Sequence, residues 1–208
     1  MKKTILTLIT MTVVVLGTAN FTYADTATTN KATTLTHVGS INKIEVHGNV
    51  EVYITNGKKD EVTVNNNYYA ENALVQDEDG VLRVSSYKAE KLVVYVTATD
   101  LRSIAAYDNA IVKSDGKLSA ISLDINLYDH AYAGLKLNNY AANITVSDQA
   151  KADLTGTIDE YSLTYSSSST VNRTELTAMN ATETKVVPQQ MVINPKHIHQ
   201  LITDIVKL

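Results

Sequence analysis

Three carboxylates stand at nearly regular spacing in this chain, Asp108, Asp129 and Asp148, separated by 21 and 19 residues. Each lies in a copy of one short pattern: Ala106-Tyr-Asp-Asn-Ala110, Leu127-Tyr-Asp-His-Ala131 and Val146-Ser-Asp-Gln-Ala150. Tyr165-Ser-Ser-Ser-Ser169 is a weaker fourth copy, with Ser167 in the Asp position. If successive copies stack, the carboxylates come within about 5 Å, where like charges repel by roughly 1 to 3 kcal/mol per pair. A Ca2+ ion would offset that repulsion, because it takes several hard oxygen ligands. The competing reading needs no metal: each Asp caps its own turn and faces water. No glycine-rich nonapeptide repeat of the kind that binds calcium accompanies the triplets, so the expectation is a site without cofactor or metal.

Tyr107 and Tyr128 precede two of these Asp residues and should stack along one edge. A tyrosine ladder offers flat apolar area with hydroxyls, suited to sugar rings or partner proteins. The plainer reading is cross-strand stabilisation, worth about 0.2 to 1 kcal/mol per pair. Tyr87, Tyr132, Tyr140, Tyr161 and Tyr165 could extend the aromatic surface. The candidate binding residues are therefore Tyr107, Tyr128, Asp108, Asp129 and Asp148, and none carries a catalytic assignment. The enzymatic rival is a polysaccharide hydrolase or lyase, since two carboxylates on one column could do acid-base work. Sites for acidic sugars also recruit basic side chains, yet residues 106–170 hold only Lys113, Lys117, Lys136 and Lys151 and no Arg. His197 and His199 would diverge on a helix, and His47 and His130 fall at turn positions. No nucleophile elbow, phosphate loop or zinc-type spacing occurs.

The elements that must position these residues are strands. Ile121, Leu123, Ile125 and Leu127 lead into one turn, and Ala131, Ala133, Leu135 and Leu137 lead out of it, an alternation with one buried face. Each repeat then holds two strands and two reversals, the second marked by Gly116-Lys117, Asn138-Asn139 or Gly156. A pair of short strands cannot bury its own apolar face, so the units must stack in columns, and a β-solenoid with one repeat per coil is the expected arrangement. Before the repeats, Val46-His-Gly-Asn-Val50 copies the turn with Gly in place of Asp. Val50, Val52 and Ile54, the turn Asn56-Gly57, and Val62 and Val64 read as a β-hairpin. Strands are expected from Ala73 to Gln76 and Val81 to Ser85 around Asp77-Glu-Asp-Gly80, then from Leu92 to Val96 and Leu101 to Ala105. No helix is expected before residue 188.

The first 24 residues read as a signal peptide: Lys2 and Lys3, an apolar run from Ile5 to Leu16, and Thr22-Tyr-Ala24 as a cleavage site. The run is too short to span a bilayer well, so no transmembrane segment is expected in the mature chain. Taking Lys2 and Lys3 from the formal −4 leaves −6, and a mildly acidic protein without a basic stripe is a poor partner for nucleic acid or anionic membrane. The chain has no Cys, which removes disulfides and lipidation at the cleavage site; the expectation is export to the periplasm, the cell surface or the medium, not as a lipoprotein. Residues 25–37, rich in Thr and Ala, read as a flexible tether. Residues 188–208 read as a tail in which Asn194-Pro195 starts a helix and Ile198, Leu201, Ile202, Ile205 and Val206 share one face. That helix is expected to cap the open end of the stack, with a detached partner-binding helix as the rival.

With the repeats located, residues 38–187 resemble the putative auto-transporter adhesin head GIN domain family. Ile41-Asn-Lys-Ile-Glu-Val-His-Gly-Asn-Val-Glu-Val-Tyr-Ile54 is similar to the family's first strand pair. Val81-Leu-Arg-Val84, Leu92-Val-Val-Tyr-Val96 and Leu101-Arg-Ser-Ile104 are similar to its middle block. The triplets sit where the family shows Gly-Ser-Gly turns, and Asp fills such positions by bonding its own backbone and tolerating left-handed φ. The resemblance implies an all-β, single-stranded right-handed β-helix with an adhesive, non-enzymatic role and a glycan or surface protein as ligand. A carbohydrate-active enzyme or polysaccharide-binding module is the alternative, and an envelope scaffold without external ligand a third. Nothing in the residues fixes an oligomeric state; no coiled-coil pattern is present.

Overall fold

The computed structural model describes residues 32–35, 38–65 and 73–187. Every regular element among them is a strand: β1 (Ala32–Thr34), β2 (Lys43–Gly48), β3 (Val50–Asn56), β4 (Glu61–Asn65), β5 (Ala73–Glu78), β6 (Val81–Ser86), β7 (Leu92–Ala98), β8 (Ser103–Ala106), β9 (Ile111–Leu127), β10 (Tyr132–Val146), β11 (Lys151–Ser166) and β12 (Thr170–Val186). All twelve belong to one curled sheet.

The repeats form its regular half. β9, β10, β11 and β12 pair in parallel, each residue opposite its counterpart in the next copy, as in Ile125 to Ile144 to Leu163 and Leu127 to Val146 to Tyr165. Period-two alternation turns Ile125, Leu127, Ile144, Val146 and Leu163 inward, all at 2% exposure or less. Each such side chain contributes about 1.5–3 kcal/mol by leaving water. The column runs on through Ile104 and Ile44 to Leu82.

The expected single-stranded right-handed β-helix is not what forms. The sheet mixes parallel pairs with antiparallel ones, β1 with β4, β4 with β7, and β5 with β6. Chain order also departs from stacking order: β2 lies between β8 and β6, and β3 between β9 and β7. The strand pair met first in the chain is thus the middle layer of its neighbours, which a continuously wound coil forbids. The repeats differ too. Each holds one long strand, not two with a second reversal; β9 runs unbroken through Gly116 and β10 through Asn138-Asn139. Register slips at Gly134/Lys136 and at Asp153/Thr155 mark where the sheet bends. The result is a half-barrel.

The expected hairpin from Val50 to Val64 is not formed either, because β7 lies between β3 and β4. The hairpin of β5 and β6 is formed, with Asp79 at φ 51° and Gly80 at φ 78°. Two consecutive positive φ angles give the turn whose twist matches that of the flanking strands. Within the expected tether, Ala32–Thr34 pairs with β4 as β1. The signal-peptide residues 1–24 and the helical cap at 188–208 lie outside the described residues.

β12 ends the described stack with charge. Opposite Leu163 and Tyr165, in line with the core columns, stand Glu183 and Lys185. Arg173 pairs with Glu183 at 2.7 Å. Inward-pointing charges on a terminal strand discourage a further strand from adding to it.

Gly48, at φ 79°, has no room for a side chain: an added Cβ would run into the Ser86 carbonyl oxygen. Gly116, at φ 92°, has nothing within 4 Å of such a Cβ. Gly48→Ala is therefore expected to cost more than about 2 kcal/mol, strain plus clash, and Gly116→Ala only the backbone strain of about 1 kcal/mol. Thermal melts should show the first variant losing at least roughly 5 °C and the second about half that.

Candidate functional site

The triplets close β-turns at the edge where one layer passes to the next strand. Ala110 N donates to Tyr107 O at 3.0 Å, Ala131 N to Tyr128 O at 3.0 Å and Ala150 N to Ser147 O at 3.1 Å. The second residue of each turn has positive φ: 57° at Asp108, 55° at Asp129 and 53° at Asp148. Asp bears this conformation better than most side chains, so the expected tolerance is met.

The carboxylates bond across layers and not, as expected, within their own turns. Asp108 Oδ2 accepts the Gly48 N–H at 2.9 Å, Asp129 Oδ2 that of Asp108 at 3.1 Å, and Asp148 Oδ2 that of Asp129 at 3.2 Å. The following peptides add a return link, His130 N to Asp108 O and Gln149 N to Asp129 O, both 2.9 Å. A hydrogen bond to a charged acceptor contributes about 1.5–3 kcal/mol, comparable to the repulsion between neighbouring carboxylates. Tyr87 also donates its hydroxyl to Asp108 Oδ2 at 3.2 Å; desolvation first, then the Asp108 charge, raises the Tyr87 pKa. In the fourth copy Ser replaces Asp, and the Ser166 and Ser168 hydroxyls donate to Asp148 O at 2.8 and 2.6 Å. Among the described residues no three His, Asp or Glu side chains converge as metal ligands would.

Beside the carboxylates runs a column of rings. His47 stacks on Tyr107 with centroids 4.4 Å apart and planes parallel, and Tyr107 on Tyr128 at 5.0 Å and 9°. Because the rings face one another, a ring face without a stacked ring remains only at the two ends of the column. The next two positions are Ser147 and Ser166. The other tyrosines do not extend it. Tyr161 is 5% exposed, its hydroxyl lacks a partner, and burial pushes its pKa up to about 12. Tyr165 is half-buried. Tyr132 donates to Asp153 at 2.7 Å, and Tyr140 to Glu160 at 3.1 Å.

Sequence reasoning placed His47 at a turn but not in the stack; the signal was its place before Gly48, where the later copies carry Tyr before Asp. A second polar cluster went unseen because its members come from three distant stretches. Glu51 accepts from Lys113 Nζ at 2.7 Å, Lys91 Nζ at 3.3 Å and Tyr53 OH at 2.7 Å. Tyr53 stacks on Tyr95 at 5.2 Å, and Lys113 Nζ sits 5.5 Å from the Tyr53 ring centre. The Lys113 hydrogen bond, with Tyr53 and Lys91 behind it and burial opposing, lowers the Glu51 carboxyl from 4.5 to about 2.

Compared with known families, residues 40–186 match the one described as "Putative auto-transporter adhesin, head GIN domain". The chain belongs to this family. The head GIN match takes in β2 to β12, and with them the carboxylate ladder, the ring column and the Glu51 cluster. Two of the crystal structures that share its fold come from one organism. One is a putative adhesin from Parabacteroides distasonis, 17% identical, TM-score 0.55, covering 76% of this chain and 79% of that one. The other is a putative lipid binding protein from the same species, 12% identical, TM-score 0.58, covering 74% and 78%. No curated protein matches the chain. Two different activities named on one fold leave the ligand to be argued from the head GIN surface itself.

Asp129→Ala removes both an acceptor and tolerance of positive φ, and is expected to cost about 1–3 kcal/mol. Asp129→Asn keeps the conformation and one acceptor oxygen and should recover more than half of that loss in a denaturant melt. Glu51 gives a pH-dependent test. A carboxyl depressed on folding stabilises above its unfolded value and loses that stabilisation as pH falls through its folded value, here a window from 4.5 to about 2. The shift is worth at most about 3 kcal/mol, less after screening because both lysines are 40% exposed. Glu51→Gln should therefore melt below the native protein at pH 7, and the gap should close as pH approaches 2.

Proposed function

We propose that the chain is an exported, non-enzymatic binding protein that meets a surface ligand, glycan or protein, along the turn edge of its sheet. The observation that carries this reading is the ring column His47, Tyr107, Tyr128, held in register beside the carboxylate ladder on an all-strand scaffold. Membership of the head GIN family supports the adhesive role, and the apolar run after Lys2 and Lys3 supports export.

The alternative of polysaccharide hydrolysis or elimination fits less well. General acid-base work needs a carboxyl aimed at the substrate, whereas Asp108, Asp129 and Asp148 each direct Oδ2 along the stack at a backbone N–H of the adjoining layer. Lys113, a base that could serve an acidic sugar, is committed to Glu51. A lipid surface is favoured by one separate observation. Ile121 and Met179 are 84% and 78% exposed and Tyr140 55%, and the flanking registers place them in one line along the stack, broken by Asp159.

The mature chain, immobilised and offered a glycan array, a panel of surface proteins and neutral lipid vesicles, with a turnover assay on acidic polysaccharides alongside, is expected to bind a glycan or protein saturably and release no product. Polysaccharide cleavage lost on replacing Asp129 or Asp148 would establish the enzyme instead. Retention on vesicles alone would establish the lipid reading.

A further inference from the structure

We infer that the turn edge carries a subsite for a neutral sugar ring on the far face of Tyr128, in the layer of Ser147 and Ser166. The inference rests on the surface-binding reading above and gives it a ligand class and a place.

The ring column advances one layer at a time, at 4.4 and then 5.0 Å. Tyr107 has a ring against each face; Tyr128 has one against a single face. In the stacking direction the register continues from Leu127 to Val146 to Tyr165, so the positions beyond Tyr128 are Ser147 and then Ser166. Both side chains end at one oxygen. With layers about 4.8 Å apart, the ring column stops short and leaves a step two layers wide against an aromatic face. A pyranose laid in the Ser147 layer continues the stack at the spacing of the rings before it, its C–H face against the Tyr128 face.

The surroundings choose a sugar over an aromatic ligand. Two residues before Tyr128, Ser147 and Ser166 stand Asn126, Thr145 and Thr164, paired in consecutive layers. Alternation puts them on the same outer face. The step is thus bordered by four hydroxyls and an amide; the Ser166 hydroxyl is engaged with Asp148 O and Ser169 N, and the Ser147, Thr145 and Thr164 hydroxyls and the Asn126 amide can donate and accept, which suits a ring rimmed with hydroxyls. Charge selects among sugars. Residues 126–131 and 145–150 hold Asp129 and Asp148 and no Lys or Arg, so a uronic or sialic acid would meet like charge. A neutral pyranoside is the ligand that fits.

The test uses the full mature chain on an array carrying neutral and acidic glycans beside a panel of surface proteins, with melting measured for every variant. The native protein is expected to retain neutral pyranosides. Ser147→Tyr adds a ring to the column and fills the step, and should weaken that binding at least about ten-fold with no loss of melting temperature. Ser147→Ala should bind within about three-fold of the native protein. If Ser147→Tyr does not fold, Tyr128→Leu, which keeps bulk without the aromatic face, should show the same loss. A folded Ser147→Tyr that binds as tightly as the native chain overturns the subsite and leaves the surface-binding role standing. Preference for acidic glycans, or binding to proteins alone, overturns it likewise. Retention of neither glycan nor protein overturns both.

Discussion

An amide on a left-handed turn residue points along the stack, and in this molecule a carboxylate from the next layer receives it. Positive φ costs a non-glycine residue about 1–2 kcal/mol, and an outward amide gains from a charged acceptor. Asp answers both: its short side chain suits the conformation and reaches the amide of the preceding layer, from Asp108 to Gly48, Asp129 to Asp108 and Asp148 to Asp129. Each turn is thereby completed by its neighbour. The strands on either side are held in the register that lines up Ile104, Ile125, Ile144 and Leu163, and the rings of Tyr107 and Tyr128 are brought face to face.

Much of this was legible in the repeats. Asp108, Asp129 and Asp148 recur with the strand alternation around them, and one layer's pattern predicts the next; the columns and the positive φ follow from local chemistry. The same logic failed where repetition ends. Nothing local in Lys43–Asn56 shows that β2 and β3 will lie between strands that come later in the chain, because that order is decided by which distant apolar faces meet. The alternation of Val50, Val52, Ile54, Val62 and Val64 is correct for strands and silent about partners, so β7 could displace β4 from the expected hairpin. Two positions were misread as reversals for a related reason: Gly116 and Asn138-Asn139 look like turn residues, yet Gly116 sits in a register slip within one continuous strand and the parallel ladder runs straight across Asn138-Asn139. The Glu51 cluster had no linear signature at all.

The chemistry of the turn edge follows from the layering. A scaffold that stacks equivalent positions about 4.8 Å apart multiplies any side chain placed on its outer edge, and here it multiplies rings, hydroxyls and carboxylates. The described stack closes at β12 with Glu183, Lys185 and Arg173 where core residues would otherwise continue, which favours a finite object over a growing one. Membership of the head GIN family accords with such a surface.

Amide hydrogen exchange read residue by residue tests the ladder most directly. The Gly48, Asp108 and Asp129 amides should be protected in the native protein, and in Asp129→Ala protection should fall sharply at Asp108 while Gly48 keeps most of its own. An Asp108 amide that exchanges as fast as an open loop in the native protein, or whose protection is unchanged in Asp129→Ala, would contradict the interlayer carboxylate bond on which the stacking account stands.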